Sequence, residues 1–292
     1  MASHKQGKTV TLVGAGNLAL ALPEMLPQAG YKIVEIVTRA SSASARALGR
    51  KTGSSATTFA KARWAGDIVW LAVSDGAIRE VASSLAPVAN WKGKIVLHSS
   101  GALSSSELAP LRRAGASVAS VHPMMTFVPG TAPDMAGVVW TVEGDKAAVA
   151  AARRIVQRMK GRALTIDAKR KPLYHAFGAF LSPLLVVHLE TASRLALEAG
   201  IQRRDIAALM KPIVERTLAN LWASIGQRGG AGKAFSGPLI RGDVGTIQRH
   251  LKSLRSFPAA GRLYEALVSA AVHSDLPVKN RRAITKLLPK SH

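Results

Sequence analysis

Cysteine is absent from this chain of 292 residues, which excludes disulfide bonds and thiol catalysis and fits a cytoplasmic enzyme. The sequence also lacks an HExxH motif, a paired CxxC motif and a cluster of histidines with carboxylates, so we predict no metal site. It has no GxSxG motif, which argues against an acyl-transfer hydrolase.

Long apolar segments are missing as well. The longest apolar run, residues 176–189, contains Ser182, Pro183 and His188 and is too short to cross a bilayer. Residues 1–8 are polar, and no apolar segment precedes the first predicted strand, so we expect no signal peptide. We therefore expect a cytoplasmic protein without a membrane segment.

Acidic residues are scarce: 17 Asp and Glu stand against 40 Lys and Arg, a net charge of +23. Such an excess is typical of nucleic-acid-binding proteins. The basic residues are scattered, however, and only 5% of the residues are aromatic, so few side chains could stack on bases. We do not expect nucleic acid to be the main partner, although the positive field would attract anionic cofactors and substrates.

The strongest positive feature is a dinucleotide-binding pattern near the N-terminus. Residues 9–19 read TVTLVGAGNLA, an apolar strand that leads directly into G-x-G-x-x-A. Gly14 permits a tight turn, Gly16 leaves room for phosphates, and Ala19 allows a helix to pack closely on the strand. A second strand, residues 32–37, ends about 20 residues further on, as this fingerprint requires. The predicted cofactor contacts in this loop are Gly14, Ala15, Gly16, Asn17 and Leu18.

The end of the second strand favours NADP(H) over NAD(H). An NAD site usually has an acidic residue there, whereas this chain has the segment Thr38-Arg39-Ala40-Ser41-Ser42, and Glu35 lies inside the strand. A guanidinium group and hydroxyls suit a 2′-phosphate. We predict that Thr38, Arg39 and Ser41 bind it; the alternative is that Arg39 is a solvated loop charge.

Strands alternate with helices through the first half of the chain. Apolar strands are predicted at residues 67–73, 94–98, 117–122, 138–142 and 162–166, with a helix at 146–160. Val73, Ser74 and Asp75 follow the third strand and are predicted to contact the cofactor, with Ser74-Asp75 capping a helix at 76–85.

Only helical patterns follow residue 167, at 171–200, 203–224, 243–255 and 259–274. The fold class is therefore α/β: a Rossmann-type, doubly wound, mostly parallel sheet (residues 1–166) followed by an all-helical domain (residues 167–292). We expect a ligand cleft between the two domains.

Three polar clusters are candidates for chemistry in that cleft. Ser99 and Ser100 end one strand and could bind a substrate carbonyl, or they could cap a helix. His122 ends the next strand and could donate a proton, or it could be structural. His175 and Ser182 share one face of the next helix with Ala179; His175 is the other candidate proton donor, unless the helix carries its histidine incidentally.

A fourth segment, residues 235–243, reads FSGPLIRGD. Arg241 could bind a substrate anion through both guanidinium nitrogens, or it could pair with Asp243, which also stands where a helix N-cap is expected.

The motifs GAGNLA, SDGAI, HSSGAL, HPMMTF, YHAF and GPLIRGD…TIQRHL occur in the order seen in the Rossmann-like/DUF2520 proteins, which this chain resembles from about residue 8 to about residue 254. Those proteins are related to the pyrroline-5-carboxylate reductase, ketopantoate reductase and 6-phosphogluconate dehydrogenase-like group. The resemblance implies an NAD(P)-binding domain, a helical domain and a homodimer formed through the C-terminal helices. Two positions depart from the usual pattern: Ser182-Pro183 stand where the family has Asn, and Ser236 where it has Thr.

We therefore predict an NADP(H)-dependent oxidoreductase that acts on a small polar carbonyl, imine or hydroxy acid. Its catalytic candidates are His175, His122, Ser182, Ser99, Ser100 and Arg241. The alternative is a non-catalytic NADP(H)-binding sensor or partner-binding module, which the departure at Ser182 would explain. Nucleic-acid binding is the third hypothesis.

Overall fold

The computed structural model describes residues 9–128 and 134–289, so the polar segment 1–8 discussed above lies outside the described residues. The chain divides into two compact units, Met1–Leu185 and Val186–His292. The predicted boundary between the two domains, at residue 166, stays a prediction.

The first unit is built on a sheet of eight strands. They are β1 (Thr9–Val13), β2 (Lys32–Thr38), β3 (Ser55–Thr58), β4 (Ile68–Leu71), β5 (Ile95–His98), β6 (Ser117–Pro123), β7 (Val139–Gly144) and β8 (Arg162–Thr165). Their spatial order is β3-β2-β1-β4-β5-β6-β7-β8. The strands that follow β1 are added first on one side of it, as β2 and β3, and then on its other side, beginning with β4. In open α/β sheets, ligands bind beyond the carboxyl ends of the two strands between which this change of side occurs, here β1 and β4.

The sheet is mostly parallel, as predicted. One neighbouring pair is antiparallel, β6 with β7, while β7 and β8 run parallel to each other. Strand β3 was not predicted, because it is only four residues long and mostly exposed at the edge of the sheet, so it lacks the apolar run that marks the other strands.

Helices cover the sheet. In the first unit they are α1 (Asn17–Gln28), α2 (Ala43–Thr52), α3 (Ile78–Leu85), α4 (Ala109–Arg113), α5 (Lys146–Arg158) and α6 (Lys171–Leu181). Two buried apolar clusters contain the side chains of these elements; Val10, Leu12 and Trp70 belong to one, and Val13, Val69 and Leu71 to the other. Because successive side chains of a strand point to opposite faces, a strand buried on both faces reads as a continuous apolar run.

The described residues of the second unit form helices joined by loops and contain no strand. The remaining helices are α7 (Pro183–Glu198), α8 (Arg203–Ser224), α9 (Pro238–Arg241), α10 (Val244–Ser253), α11 (Pro258–Val272) and α12 (Arg281–Thr285). A small apolar cluster that includes Ile247, Val268 and Ile284 joins helices α10 to α12.

The helix predicted at 171–200 is interrupted. Ser182 has φ −129° and ψ −83°, outside the helical region, and Pro183 begins α7. Proline lacks the N–H that would continue the helical ladder and disfavours helical geometry in the residue before it.

One helical stretch, Ala168–Glu198, is long and apolar enough to cross a membrane by length and composition alone. It has 31 residues; its most apolar 18-residue window has a mean hydropathy of 1.4, and none of that window is buried. A single helix of this kind is weak evidence for a membrane span, and this one is interrupted at Ser182 and Pro183, so the absence of a membrane segment stays a prediction.

Candidate active site

The glycine-rich loop lies at the carboxyl end of β1, at the point where the strand order reverses. Gly14 has φ +106°, and a Cβ atom there would lie 2.4 Å from the carbonyl oxygen of Ala72, so only glycine fits. A Cβ atom at Gly16 would meet only that oxygen, at 3.9 Å. Gly16 is also the N-cap of α1 and has no side chain to occupy the helix N-terminus. This open helix end fits the pyrophosphate of a dinucleotide.

Neighbouring loops enclose this position. The side-chain amide of Asn17 donates to the carbonyl of Phe127, 3.3 Å away, and so connects the glycine loop to the segment that follows β6. Ser74 and Asp75 follow β4, as predicted, but neither side chain caps a helix. The Asp75 carboxylate instead accepts from the Ser100 hydroxyl at 2.7 Å, which connects the loop after β4 to the loop after β5.

The end of β2 carries more basic groups than the sequence pattern indicated. Arg39 is exposed and forms an ion pair with Glu80 of α3 at 2.9 Å. A cavity of about 190 Å³ opens at the same strand end, and Arg39 is not part of its lining, which includes the hydroxyls of Ser41 and Thr58 and the cationic side chains of Arg46 and Lys61. Arg46 donates to Ser41 Oγ at 2.6 Å. Hydroxyls and two cations around a small cavity suit a phosphate group.

Glu35, the nearest acid in sequence to the end of β2, is buried. Its two carboxylate oxygens accept from the backbone N–H groups of Arg63 and Trp64, at 2.8 and 3.0 Å. Glu35 therefore stabilises a loop and is not free to accept from a ribose hydroxyl.

The loop after β5, residues Ser99–Gly101, is held by its own side chains. The Ser100 hydroxyl donates to Asp75 and accepts from the backbone N–H of Leu103 at 2.9 Å, which leaves it little capacity for a substrate. Ser99 Oγ accepts from the indole of Trp70 at 2.8 Å and keeps its own proton for donation. Of the two serines predicted to contact substrate, Ser99 is therefore the better placed.

His122 and His175, which lie 53 positions apart in the sequence, meet at Gly101. A Cβ atom at Gly101 would lie 2.6 Å from Cδ2 of His175 and 2.8 Å from Nε2 of His122. The two imidazole rings are 6.1 Å apart and nearly perpendicular. The Tyr174 hydroxyl is 3.0 Å from His122 Nδ1. The motifs HSSG, HPMM and YHAF thus form one cluster within the first unit.

The buried His98 and the half-buried His122 are both uncharged at neutral pH. Burial, together with the charges of Lys171, His175 and His98, lowers the pKa of His122 to about 3. Burial likewise lowers the pKa of His98 to about 4. Burial raises the pKa of Tyr174, which keeps its hydroxyl protonated. His175, by contrast, is exposed.

Lys171 is a buried residue that the sequence interpretation did not select. Its side chain is 0% exposed, and Nζ donates to the carbonyl of Ser100 at 2.9 Å and to Ser120 Oγ at 2.8 Å. Burial lowers the pKa of Lys171 to about 8, although Glu143 and Asp75 favour its charged form. Lysine is almost always exposed to solvent, and nothing in the sequence around Lys171 indicates that this one is buried.

A cavity of about 450 Å³ opens beside the histidine cluster. His122, His175, Ala179 and Ser182 line it, which brings the predicted helix face together although Ser182 lies just past the end of α6. Met124 and Met125 form part of its apolar wall. Among the described residues that line it, none is Asp, Glu, Lys or Arg.

Arg241 belongs to the second unit, and its proposed contact with a substrate stays a prediction. Asp243 caps α10 as expected: its carboxylate accepts from the backbone N–H of Thr246 at 3.0 Å and from the Thr246 hydroxyl at 2.7 Å. The structure gives no ion pair between Arg241 and Asp243 in the described ranges. No group of three or more metal-binding side chains occurs in the part of the chain that the structure describes.

Two family models match the chain, and they agree with this geometry. Residues 3–123 match a Rossmann-like domain, and residues 138–271 match a domain of unknown function, DUF2520. The chain joins a Rossmann-like domain to a DUF2520 domain. The DUF2520 match begins next to β7 and contains Tyr174 and His175, whereas His122 lies in the Rossmann-like match. No curated protein matches the chain significantly.

Solved structures share the fold at low sequence identity. Protein BF3122 from Bacteroides fragilis is 21% identical, with a TM-score of 0.73 over 96% of this chain and 99% of that one. The reductive aminase from Aspergillus terreus, solved with NADPH and ethyl-5-oxohexanoate, is 17% identical, with a TM-score of 0.66 over 95% and 98%. The imine reductase from Myxococcus stipitatus, solved with NADP+, is 16% identical, with a TM-score of 0.66 over 96% and 100%. These similarities establish the fold of the Rossmann-like/DUF2520 chain.

Proposed function

We propose that this protein is an NADP(H)-dependent oxidoreductase that acts on a small carbonyl or imine compound, or on the corresponding reduced product. The observation that carries the proposal is a continuous set of contacts at the carboxyl ends of the strands. The carboxylate of Asp75, in the loop after β4, accepts a hydrogen bond from the Ser100 hydroxyl. Gly101, the residue after Ser100, packs against both His122 and His175. A nucleotide site and a proton-handling cluster therefore share one edge of the sheet.

The residues of the first unit fit the cofactor. Gly14, Gly16 and the N-terminus of α1 would hold the pyrophosphate. Arg39, Ser41, Arg46 and Lys61 would hold the 2′-phosphate, and the exposed Arg39–Glu80 pair costs little to rearrange. When bound, NADP(H) supplies or accepts the hydride. Enzymes of the same fold bind NADPH, NADP+ or NAD+, which supports a nicotinamide dinucleotide; the choice of NADP(H) rests on the basic side chains at the end of β2.

We assign different roles to the two histidines of the cluster. His122 is uncharged, so Tyr174 can donate to its Nδ1 and leave a proton on Nε2, which faces Gly101. A neutral imidazole N–H of this kind can polarise a carbonyl or imine. His175 is exposed and can exchange protons with solvent, so we assign it the transfer of the proton. The sequence analysis left His122 and His175 as alternative proton donors, and we now propose His175.

The cavity beside the cluster supports a substrate whose body is small and weakly polar. Its polar end is formed by the two histidines, and its methionine wall suits an apolar group. The keto ester bound by the reductive aminase of the same fold is a compound of this kind.

A titration with NADPH and NADH, followed by nicotinamide fluorescence, tests the cofactor assignment. We expect NADPH to bind more tightly, and Arg39→Ala and Arg46→Ala each to weaken NADPH binding roughly tenfold while NADH binding stays unchanged, because each removes a charge-assisted hydrogen bond. Arg50→Ala, an exposed arginine at the far end of α2, is the matched control. Equal binding of both cofactors by every variant would refute the NADP assignment.

A panel of ketones and imines with NADPH then tests turnover. Oxidation of NADPH with any member supports the oxidoreductase. Tight NADPH binding with no turnover across the panel would favour the non-catalytic sensor instead.

We further propose that the protein is a homodimer formed through α7 and α8. No residue of α7 is buried, and only Ile206 and Ser224 of the 22 residues of α8 are. Val186, Ile213 and Trp222 are 65%, 67% and 59% exposed. Apolar faces of this extent are typical of an interface between subunits.

A further inference from the structure

We propose that Lys171 is a positioning residue of the candidate active site, which fixes the start of α6 against the loop Ser99–Gly101 and against β6. The inference deepens the proposed function, since it concerns the same site. Its test, however, needs neither cofactor nor substrate.

The geometry joins three segments at one ammonium group. Lys171 begins α6, Ser100 lies in the loop after β5, and Ser120 lies in β6. The Lys171 Nζ donates to the Ser100 carbonyl and to the Ser120 hydroxyl, which itself donates to that carbonyl at 3.2 Å. Three elements distant in sequence thus share one hydrogen-bonded centre.

Each of the three segments carries a residue of the histidine cluster close to its bond with Lys171. Gly101 directly follows Ser100. His122 lies two residues after Ser120, on the same face of the strand. Tyr174 and His175 lie three and four residues after Lys171, one helical turn along the same face. A change in the bonds of Lys171 would therefore move all sides of the cluster together.

Stability alone does not account for this lysine. Removing a charge from water is costly, and its burial lowers the pKa of Lys171 well below the ordinary value. A methionine of similar length would fill the same space without that cost. The Lys171 charge is thus better explained by its effect on neighbouring groups than by a contribution to folding.

Several titratable and charged groups face Lys171 from the elements around it. Glu143 on β7 and Asp75 after β4 favour its charge. The charge in turn lowers the pKa of His98 on β5 and of His122 on β6. Tyr174 and His175 follow on its own helix, and burial raises the pKa of Tyr174, so this tyrosine keeps its proton over the pH range in which Lys171 loses its own.

Nuclear magnetic resonance between pH 6.5 and 10 tests the inference on the free protein. As Lys171 loses its proton, we expect the imidazole nitrogens of His122 and the amide of Gly101 to shift together, with a midpoint near 8. The step should be absent in Lys171→Met and retained in Lys169→Met, which removes an exposed lysine two residues away. Lys171→Met should also fold, with a melting temperature at pH 7 no lower than that of the natural sequence.

The opposite results would overturn the proposal. They are a step that persists in Lys171→Met, resonances of His122 and Gly101 that do not move with pH in the natural sequence, or a Lys171→Met chain that fails to fold. Ser120→Ala gives an independent check, because it removes one acceptor of the ammonium: the midpoint should fall by about one pH unit. An unchanged midpoint in Ser120→Ala would count against the inference. Failure of NADPH to bind would refute the proposed function and leave these readouts intact.

Discussion

Helix α5, which packs on the sheet of the first unit, and helix α8, the longest helix of the second unit, treat their apolar side chains in opposite ways. Helix α5 buries Ala148, Ala151, Ala152, Ile155 and Val156 among its 13 residues. Helix α8 is 22 residues long and buries two. The core around the sheet is therefore well covered, whereas the three consecutive helices α6, α7 and α8 bury only three residues between them. We propose that the chemistry takes place beside the sheet and that α7 and α8 serve assembly.

The largest effect should come from the histidine cluster of the first unit. We expect His175→Gln to lower the rate of hydride transfer by roughly 10² to 10⁴, the ordinary contribution of a positioned acid or base, with the dissociation constant for NADPH unchanged. Single-turnover kinetics with an active member of the ketone and imine panel measures it. His273→Gln, an exposed histidine of the second unit that bonds to the carbonyl of Ser269, is the control. Full activity of His175→Gln would remove the assignment of the donor.

Acid should weaken the first unit before the second. His98 and His122 have lowered pKa values in the folded state, so below pH 6.5 the unfolded chain binds up to two more protons than the folded one. The free energy of unfolding should fall by roughly 2 kcal/mol between pH 6.5 and 5.5. Stability is thus retained above pH 6.5 and lost as the pH falls towards the folded values.

Hydrogen exchange as a function of pH measures this effect for each unit. The amides of β5 and β6 should lose protection below pH 6.5, and those of α10 and α11 should change less, because the nearby His250 and His273 are exposed. His122→Asn should roughly halve the dependence on pH. A loss of protection that is the same in both units, or unaffected by His122→Asn, would contradict the argument.

The smallest of the three effects concerns assembly. Ile213→Glu places a charge on the exposed apolar face of α8 and should raise the dissociation constant of the dimer roughly tenfold. Sedimentation velocity over a range of concentrations measures it. Val88→Glu, which alters a 48% exposed apolar residue of the first unit, should leave the dimer intact. A natural sequence that sediments as a monomer at all concentrations would refute the assembly proposal.

Most of the fold could be predicted from the sequence because its signals are local. The apolar runs of β1, β2, β4, β5 and β6 mark buried strands, and the helical spacing of α8 gives its bounds, Arg203–Ser224, as predicted. Strand β3 and the antiparallel pairing of β6 with β7 were not predicted. Strand β3 is short and partly exposed, so it lacks the apolar pattern that indicates a strand. The direction in which β7 runs beside β6 depends on contacts between distant segments, which a local pattern does not show.

The candidate site could be predicted only in part. The positions of Gly14 and His122 at strand ends follow from the pattern of strands. The bond from Ser100 to Asp75, by contrast, joins residues 25 positions apart. It connects a serine that was predicted to contact substrate to the loop after β4, and the contact with substrate stays a prediction. A connection of this kind depends on distance in space and leaves no local trace.

By itself, the sequence determined the α/β class, the dinucleotide loop and the types of side chain available for chemistry, since each follows from residue spacing within one element. Only the tertiary structure decided that His122 and His175 meet at Gly101, that His122 is uncharged, and that Lys171 is buried among Ser100 and Ser120. These properties depend on the exclusion of solvent and on charges that lie far apart in the sequence. Both conditions arise only when the sheet and its helices have packed together.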